Sequence, residues 1–422
     1  MENYSIIIFI LAIMIGLSAI ADRIKIPYPV LLIIAGIAIG FIPALPAIDI
    51  NPEIIFLIFL PPLLYDAAFN ISFKDFKTNI STISTLAITL VFLTTIWIAV
   101  VAHYMIPGMN WPLSFVLGAI LSATDAVAAM SITKGLGLSH KTNTILEGES
   151  LINDASALVA YRFAVAAVTG TAFVFWKATL EFAVLMGGGF AIGFIVSKIL
   201  SLIIKRIHHN RLVTISFLLL MPFVTYLIAE EVHVSGVIAV VILGLGISRY
   251  SSTIFPEEFK KQSKTIWDII IFLLNGLIFI LIGLQFPYIY KSFNTNDIFA
   301  YVGYSFVITL VALIIRIIRV FIQKFNLQKA FNRGKKRVTE DALLDFKNSL
   351  IISWSGMRGI VSLAIAIGLP ATLNDGSAFP QRNAIIFISI MVVLFTLIGQ
   401  GLTLPWLVKK LTTETEELSI KG

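Results

Sequence analysis

Glu147, Glu149, Ser150, Asn153 and Asp154 fall within one decapeptide, EGESLINDAS, set in a stretch that otherwise reads as membrane helix. Side-chain oxygens in such surroundings can carry a proton or hold a hard cation. Helical spacing puts Ser150 and Asp154 on one face, and Glu149 and Asn153 on the adjacent one. Two further carboxylates have comparable settings: Asp125, after Thr124 in LSATDAVAAM, and Asp66, in FLPPLLYDAAF. An ionisable side chain at bilayer depth costs at least ~2.5 kcal/mol on insertion scales, so each must face a bundle interior, a cavity or a partner.

The elements that must position these groups are apolar runs. The 422 residues are 58% hydrophobic and 13% charged, against about half and about a quarter in ordinary soluble domains. Hydropathy, punctuated by Pro, Gly and charge, predicts an all-α polytopic membrane protein with about thirteen transmembrane helices of ~20 residues. The expected spans are residues 4–21, 28–47, 53–71, 80–106, 112–132, 144–169, 178–204, 212–230, 234–249, 266–286, 298–323, 346–369 and 384–409. Basic residues concentrate in alternate loops, at Arg23/Lys25, Lys74/Lys77, Lys134/Lys141, Lys205/Arg206/Arg211, Lys260/Lys261/Lys264, Lys324 to Lys347 and Lys409/Lys410. The opposite loops hold Lys177, Lys291 and Arg382. This bias predicts a multi-pass cell-membrane protein with the N-terminus outside, the C-terminus cytoplasmic and residues 412–422 as a short cytoplasmic tail.

A rise of ~1.5 Å per residue then assigns depths. Asn153 and Asp154 lie ~15 Å in from the cytoplasmic face, and Thr124, Asp125 and Asp66 lie ~20 Å down from the other. Three carboxylates from three helices thus converge near one level. Carboxylate, hydroxyl and freed backbone carbonyl together suit a hard monovalent cation such as Na⁺. The spans around them hold no His or Cys, which argues against a transition metal. Glu149 is shallower, ~7 Å in, and Arg316 on span eleven reaches the same level, which predicts a structural ion pair. Arg358, in SWSGMRGIVSLAIAIGLP, lies ~18 Å deep, where it neutralises the central site or a broken helix.

Other features have blander readings. Arg162 reads as a snorkelling anchor, while Asp268, Lys198 and Glu230 lie near helix ends and require no special role. Gly187, Gly188 and Gly189 allow close helix packing. His208 and His209 sit in a cytoplasmic loop, as solvated residues first and pH sensors second. The basic stretch QKFNLQKAFNRGKKRVTEDALLDFKN reads as a cytoplasmic loop at the headgroup surface, with lipid binding as an alternative. The net charge of +7 is spread among loops, which speaks for membrane topology rather than nucleic acid. The lack of cysteine excludes disulfides and thiolate metal sites. The first apolar run has neither a basic flank nor a small-residue cleavage site, so it reads as a retained helix.

Five stretches, FLPPLLYDAAF, LSATDAVAAMSI, LEGESLINDASALVAYRFAVAA, IIIFLLNGLIFILIGLQFP and SWSGMRGIVSLAIAIGLP, carry a resemblance. In them the chain resembles the bacterial NhaP/NHE-type monovalent cation:proton antiporters, in the same order and over nearly its whole length. The resemblance implies an NhaA/NhaP-like fold of thirteen helices in two inverted repeats, with crossed discontinuous helices at spans five and twelve. It also implies a homodimer of one transmembrane unit, residues 1–411, with a moving core of roughly spans 3–6 and 10–13 and a dimerisation domain of spans 1–2 and 7–9. It makes Asp154 the ion- and proton-binding carboxylate and Asn153 its neighbour. Ser150, Asp125 and the Thr124 backbone complete the Na⁺ site, and Glu149 with Arg316 forms the core ion pair. Relatives often carry Glu where this chain has Asp66, whose shorter reach places it last among the ligands.

These readings lead to a transporter, not an enzyme, that exchanges Na⁺ or Li⁺ for H⁺ one for one by competition at Asp154, with no cofactor. Its partners are monovalent cations, protons, membrane lipids and a second copy of the chain. A K⁺/H⁺ antiporter is the nearest alternative. A cation channel would also place acids along a pathway, whereas a hydrolase built on Ser150 lacks a His or Lys base on neighbouring spans.

Overall fold

Several apolar runs start where a short polar side chain can close the first helical turn. In the computed structural model, which describes residues 2–24, 28–42, 52–133, 136, 138–170, 175–207, 210–291, 293, 295–334, 339–373 and 375–420, Asn110 accepts from the Leu113 amide at 3.0 Å. Ser139 likewise accepts from Thr142 at 3.1 Å, and Asp345 from Asn348 at 2.6 Å. The helices are α1 (Glu2–Ile24), α2 (Tyr28–Gly40), α3 (Pro52–Asn70), α4 (Phe73–Ser84), α5 (Val91–Met105), α6 (Trp111–Ile120), α7 (Ala126–Thr133) and α8 (His140–Val168). They continue with α9 (Phe175–Ile207), α10 (Arg211–Glu231), α11 (Gly236–Ile254), α12 (Glu257–Lys291), α13 (Thr295–Asn332), α14 (Phe346–Trp354), α15 (Ile360–Ile367), α16 (Arg382–Phe395) and α17 (Gly401–Ile420). A π-helical turn over Thr85–Leu90 joins α4 to α5, and another over Thr396–Gln400 joins α16 to α17. Among the described residues the β structure is one isolated bridge, Thr372 to Ala378. The fold is all-α.

Seven stretches among the described residues are long and apolar enough to cross a bilayer, and shorter apolar helices accompany them. The outer surface is apolar too, with Leu212 and Phe299 each 80% exposed, as suits lipid-facing positions. Two of the expected spans are interrupted: α6 and α7 are separated by residues 121–125, and α14 and α15 by residues 355–359.

Helix and hydropathy limits part company outside the apolar zone. Helix starts at Phe73 and Glu257, ahead of the expected 80 and 266. At the other end α13 runs to Asn332, so the first part of the basic stretch is helix, with Lys324 above the Phe321 and Phe346 rings at 5.9 and 5.3 Å. Helix α17 likewise continues through the expected tail to Ile420. Hydropathy marks where a helix leaves lipid, while residues such as Lys, Gln, Glu and Ala can prolong it in water. Lys25, Lys134, His208, His209, residues 335–338 of the basic stretch and residues 421–422 of the tail lie outside the described residues.

Packing sorts the helices into two groups. The most extensive pairing is α2 on α12, followed by α9 on α11. Gly36 makes the first possible, because a Cβ there would sit 2.9 Å from the Gly283 Cα and on the Ile280 carbonyl. Of the three consecutive glycines, Gly188 and Gly189 lie against Val234 and Ser235, whereas Gly187 faces open space. Helix α3 packs mainly on α11 and α10. Helices α5, α6 and α8 pack together, and α13 joins them through α5, α14 and α16. By packing, α3 and α12 stand with α1, α2 and α9–α11.

Candidate functional site

The two chain breaks meet. The Asp125 amide donates to the Met357 carbonyl at 2.8 Å, and the Asp125 side chain serves both half-helices that start there. Its Oδ1 accepts from the Ala128 amide of α7 at 3.1 Å, and its Oδ2 from the Ile360 amide of α15 at 3.4 Å. Two helix N-termini thus direct partial positive charge at one carboxylate. Gly359 permits this approach, since a Cβ there would collide with the Asp125 carboxylate.

Arg358 serves the opposite polarity. Its Nη1 donates to the Ser122 carbonyl at 2.8 Å and the Ala123 carbonyl at 3.1 Å, just past the C-terminal end of α6. Ser362 Oγ adds a bond to Ala123 O at 3.2 Å. The guanidinium, 3% exposed, replaces the hydrogen bonds that the interrupted helix cannot make for itself and faces the negative end of its dipole. Of the two expected placements, its contacts are those of the broken helix.

Helix α8 lies against the first break. Ser150 Oγ and Asn153 Nδ2 donate to the Thr124 carbonyl at 3.2 and 3.3 Å, and Asn153 Nδ2 also reaches Thr124 Oγ1 at 2.5 Å. The Thr124 hydroxyl in turn donates to Glu149 Oε1 at 3.1 Å. Glu149 is paired with Arg316, whose Nη1 meets Oε1 and whose Nη2 meets Oε2 at 2.8 Å, while Arg316 Nε donates to the Ile352 carbonyl at 3.0 Å. Both partners are buried. A hydrogen-bonded chain therefore runs from this ion pair through Thr124 to the face of α8 that bears Ser150 and Asp154.

Thr124, Asp125, Ser150 and Asp154 line one cavity of about 430 Å³. Asp154 is 6% exposed, and its Oδ1 has no hydrogen-bond partner among the described residues. Asp66 lines the same cavity nearer its mouth, where Asn70 Nδ2 donates to its Oδ1 at 2.9 Å. Asn153, Glu149, Arg316 and Arg358 stand behind the wall rather than on it. Exposure rises from the buried Thr124 and Asp154 to the exposed Asn70 and Asp268, so the cavity opens toward the end where α3 finishes and α8 and α12 begin. Its walls come from both helix groups, with α2, α3 and α12 on one side and the chain breaks with α8 on the other.

Six polar lining residues were not expected as site residues: Tyr28, Asn70, Glu147, Asp268, Asn275 and Ser362. Asp268 reads as a helix-end residue because α12 starts earlier than its apolar run. Asn275 carried a usable signal as the lone amide in IIIFLLNGLIFILIG, where an intramembrane polar group is functional by default. Arg162 also differs from expectation: it forms an ion pair with Glu230 on α10 at 2.8 Å instead of snorkelling alone. Among the described residues no cluster of three or more His, Cys, Asp or Glu has metal-holding geometry. The oxygens that face the cavity are of the kind that suits a hard cation.

A family model described as "Sodium/hydrogen exchanger, transmembrane" matches residues 8–410. The chain is 36% identical over 426 residues to a sodium, potassium, lithium and rubidium/H⁺ antiporter of Bacillus pumilus, covering 97% of this chain and 62% of that protein. It is 34% identical to the low-affinity Na⁺/H⁺ antiporter NhaS1 of Synechocystis, over 92% of this chain and 70% of that one. The chain thus spans about three fifths of the length of the Bacillus relative. Among solved structures, the sodium proton antiporter MjNhaP1 of Methanocaldococcus jannaschii matches with a TM-score of 0.76 and 21% identity, over 97% of this chain and 99% of that chain. That likeness is one of fold.

Proposed function

Since this chain belongs to the sodium/hydrogen exchanger family, as a multi-pass membrane protein, we propose that it exchanges Na⁺ or Li⁺ for H⁺, one for one, at Asp154. The observation that carries the reading is the Asp154 carboxylate: it is buried, one oxygen lacks a partner, and it shares a cavity with Asp125, Thr124 and Ser150. Either a proton or a cation satisfies it. The charged and unoccupied form is the one that a low-dielectric barrier penalises, and this couples the two fluxes.

In this reading Asp154, Ser150, Asp125 and the Thr124 backbone contact the ion, and Asn153 positions Thr124. Glu149 with Arg316 holds α8, α13 and α14 as one body, and Arg358 holds the first break against the second. The moving body is α4–α8 with α13–α17, and the frame is α1–α3 with α9–α12, which also supplies the contact to a second copy. Since the cavity lies between the two groups, a displacement of one against the other changes the side to which Asp154 opens. The thirteen crossings, the inverted repeats and the outside N-terminus belong to this proposal, supported by the chain breaks and the loop charges. No resident cofactor has a place in the scheme.

K⁺ is the second candidate cargo, because the Bacillus relative's description names potassium and rubidium beside sodium and lithium. In proteoliposomes, an imposed Na⁺ gradient should drive proton flux that Asp154→Asn abolishes and that a membrane potential leaves nearly unchanged. Undiminished flux in that variant would overturn the assignment. Parallel runs with Na⁺, Li⁺ and K⁺ give the cargo.

A further inference from the structure

The Asn275 amide is the buried polar group in the cavity that the proposed exchange leaves unused. It lies ~10 Å deeper along α12 than Asp268, is 2% exposed and lines the wall. Its Oδ1 has no hydrogen-bond partner among the described residues, and the Tyr28 hydroxyl is the neighbour with which its side chain interacts on the same wall. Leaving a buried acceptor unpaired is costly and rare enough to call for a cause. Packing supplies none, because the close contact of this turn is made next door, where Gly276 meets Met14.

A neutral amide oxygen is a good ligand for a hard cation. Across the same cavity stand Asp125 and Asp154, on the wall made by the chain break and α8. We infer that Asn275 supplies an uncharged oxygen ligand to the transported cation from the α12 side of the cavity, with Tyr28 as the positioning residue that turns it. The inference rests on the proposed exchange at Asp154. It adds a ligand from the opposite helix group, so the cation is shared between the two groups while the cavity is open. That ligand is lost when the groups shift. Asn275 therefore acts on cation affinity and selectivity, whereas Asp154 acts on exchange itself.

The test uses full-length protein in proteoliposomes, with Na⁺, Li⁺ and K⁺ as probes and Asp154→Asn alongside. Asn275→Ala should raise the apparent KM for Na⁺ about tenfold, the loss expected for one hydrogen-bond-class contact to a charge, with a smaller effect on maximal rate and an altered Na⁺/K⁺ ratio. Tyr28→Phe should shift KM in the same direction by less. Na⁺-induced thermal stabilisation in detergent should weaken in step. Unchanged KM and unchanged ion ratio in Asn275→Ala, or a fall in maximal rate alone, would overturn the inference. Asn275→Ser provides the same readout if the alanine variant fails to reach the membrane. Activity in Asp154→Asn, or no exchange by the wild type, would instead sink the underlying reading.

Discussion

The Asp125 amide donates to the Met357 carbonyl at 2.8 Å, so the gap in one interrupted helix is closed on the gap in the other. The same residue's carboxylate accepts from the Ala128 amide in the first turn of α7 and from the Ile360 amide that opens α15. Asp125→Asn keeps both the shape and a capping oxygen, as Asn and Asp cap helices about equally well. The protein should therefore fold, with a melting temperature in detergent lowered modestly by the loss of one of the two caps. Its lost charge should raise the apparent KM for Na⁺ by about tenfold or more. Wild-type KM in a well-folded variant would show that Asp125 is a cap and nothing else.

The buried pair of Glu149 and Arg316 invites a different measurement. Removing one partner strands the other charge in a dry interior, a loss of roughly 3–5 kcal/mol. Glu149→Gln and Arg316→Met should each lower thermal stability strongly, and the double variant should recover part of the loss. Additive losses in that cycle would mean that the two side chains do not depend on each other.

Arg358 can be tested through the carbonyls it serves. Arg358→Met leaves the oxygens of Ser122 and Ala123 short of a buried donor, at about 1–3 kcal/mol each. Ser362 Oγ still reaches Ala123, so the cost should sit nearer the lower end. Arg358→Lys should restore part of both stability and exchange, because one ammonium can still reach a carbonyl cluster without the planar fork. If lysine and methionine behave alike, the positive charge is not what holds the break.

Much of this arrangement is legible in the sequence, and the reasons are local. Depth counted at a fixed rise per residue brought Glu149 level with Arg316, and they pair; the same count put Asp125 and Asp154 on one level, and they line one cavity. What stayed hidden depends on partners remote in sequence. Arg162 shows no local sign of Glu230, since the choice between lipid headgroup and a carboxylate on another helix is made by packing. Asp268 looked peripheral because hydropathy locates the lipid boundary and not the first residue of a helix. Asn275 stands in plain view in an apolar run, but no local pattern shows that its oxygen is left without a partner once the helices pack.

Competition at a single carboxylate fixes the sign of the pH response. A proton on Asp154 excludes the cation, so lowering pH should raise the apparent KM for Na⁺, approaching about tenfold per pH unit where the protonated form dominates. Maximal rate at saturating Na⁺ should change much less over the same range. A fall in maximal rate at constant KM would place the titrating group elsewhere.

The ion pair of Arg162 with Glu230 joins α8 to α10, and so crosses between the two helix groups. It lies at the end of α8 opposite His140, away from the mouth of the cavity. If α8 moves against α10 during exchange, this bridge must break whenever the cavity turns to the other side. The pair is partly exposed, so its strength is modest, on the order of 1 kcal/mol or less, enough to bias a conformational balance without locking it. The chain contains no cysteine, so single cysteines report accessibility without background. Ala67→Cys, on the cavity wall near Asp66, should react with a membrane-impermeant maleimide from the cytoplasmic side in inside-out vesicles. Adding Arg162→Ala should slow that labelling by a few-fold, as expected for a shift of about 1 kcal/mol or less in the balance. Labelling from the opposite side only would reverse the proposed orientation, and an unaltered rate in the double variant would show that the bridge has no part in holding the cavity open.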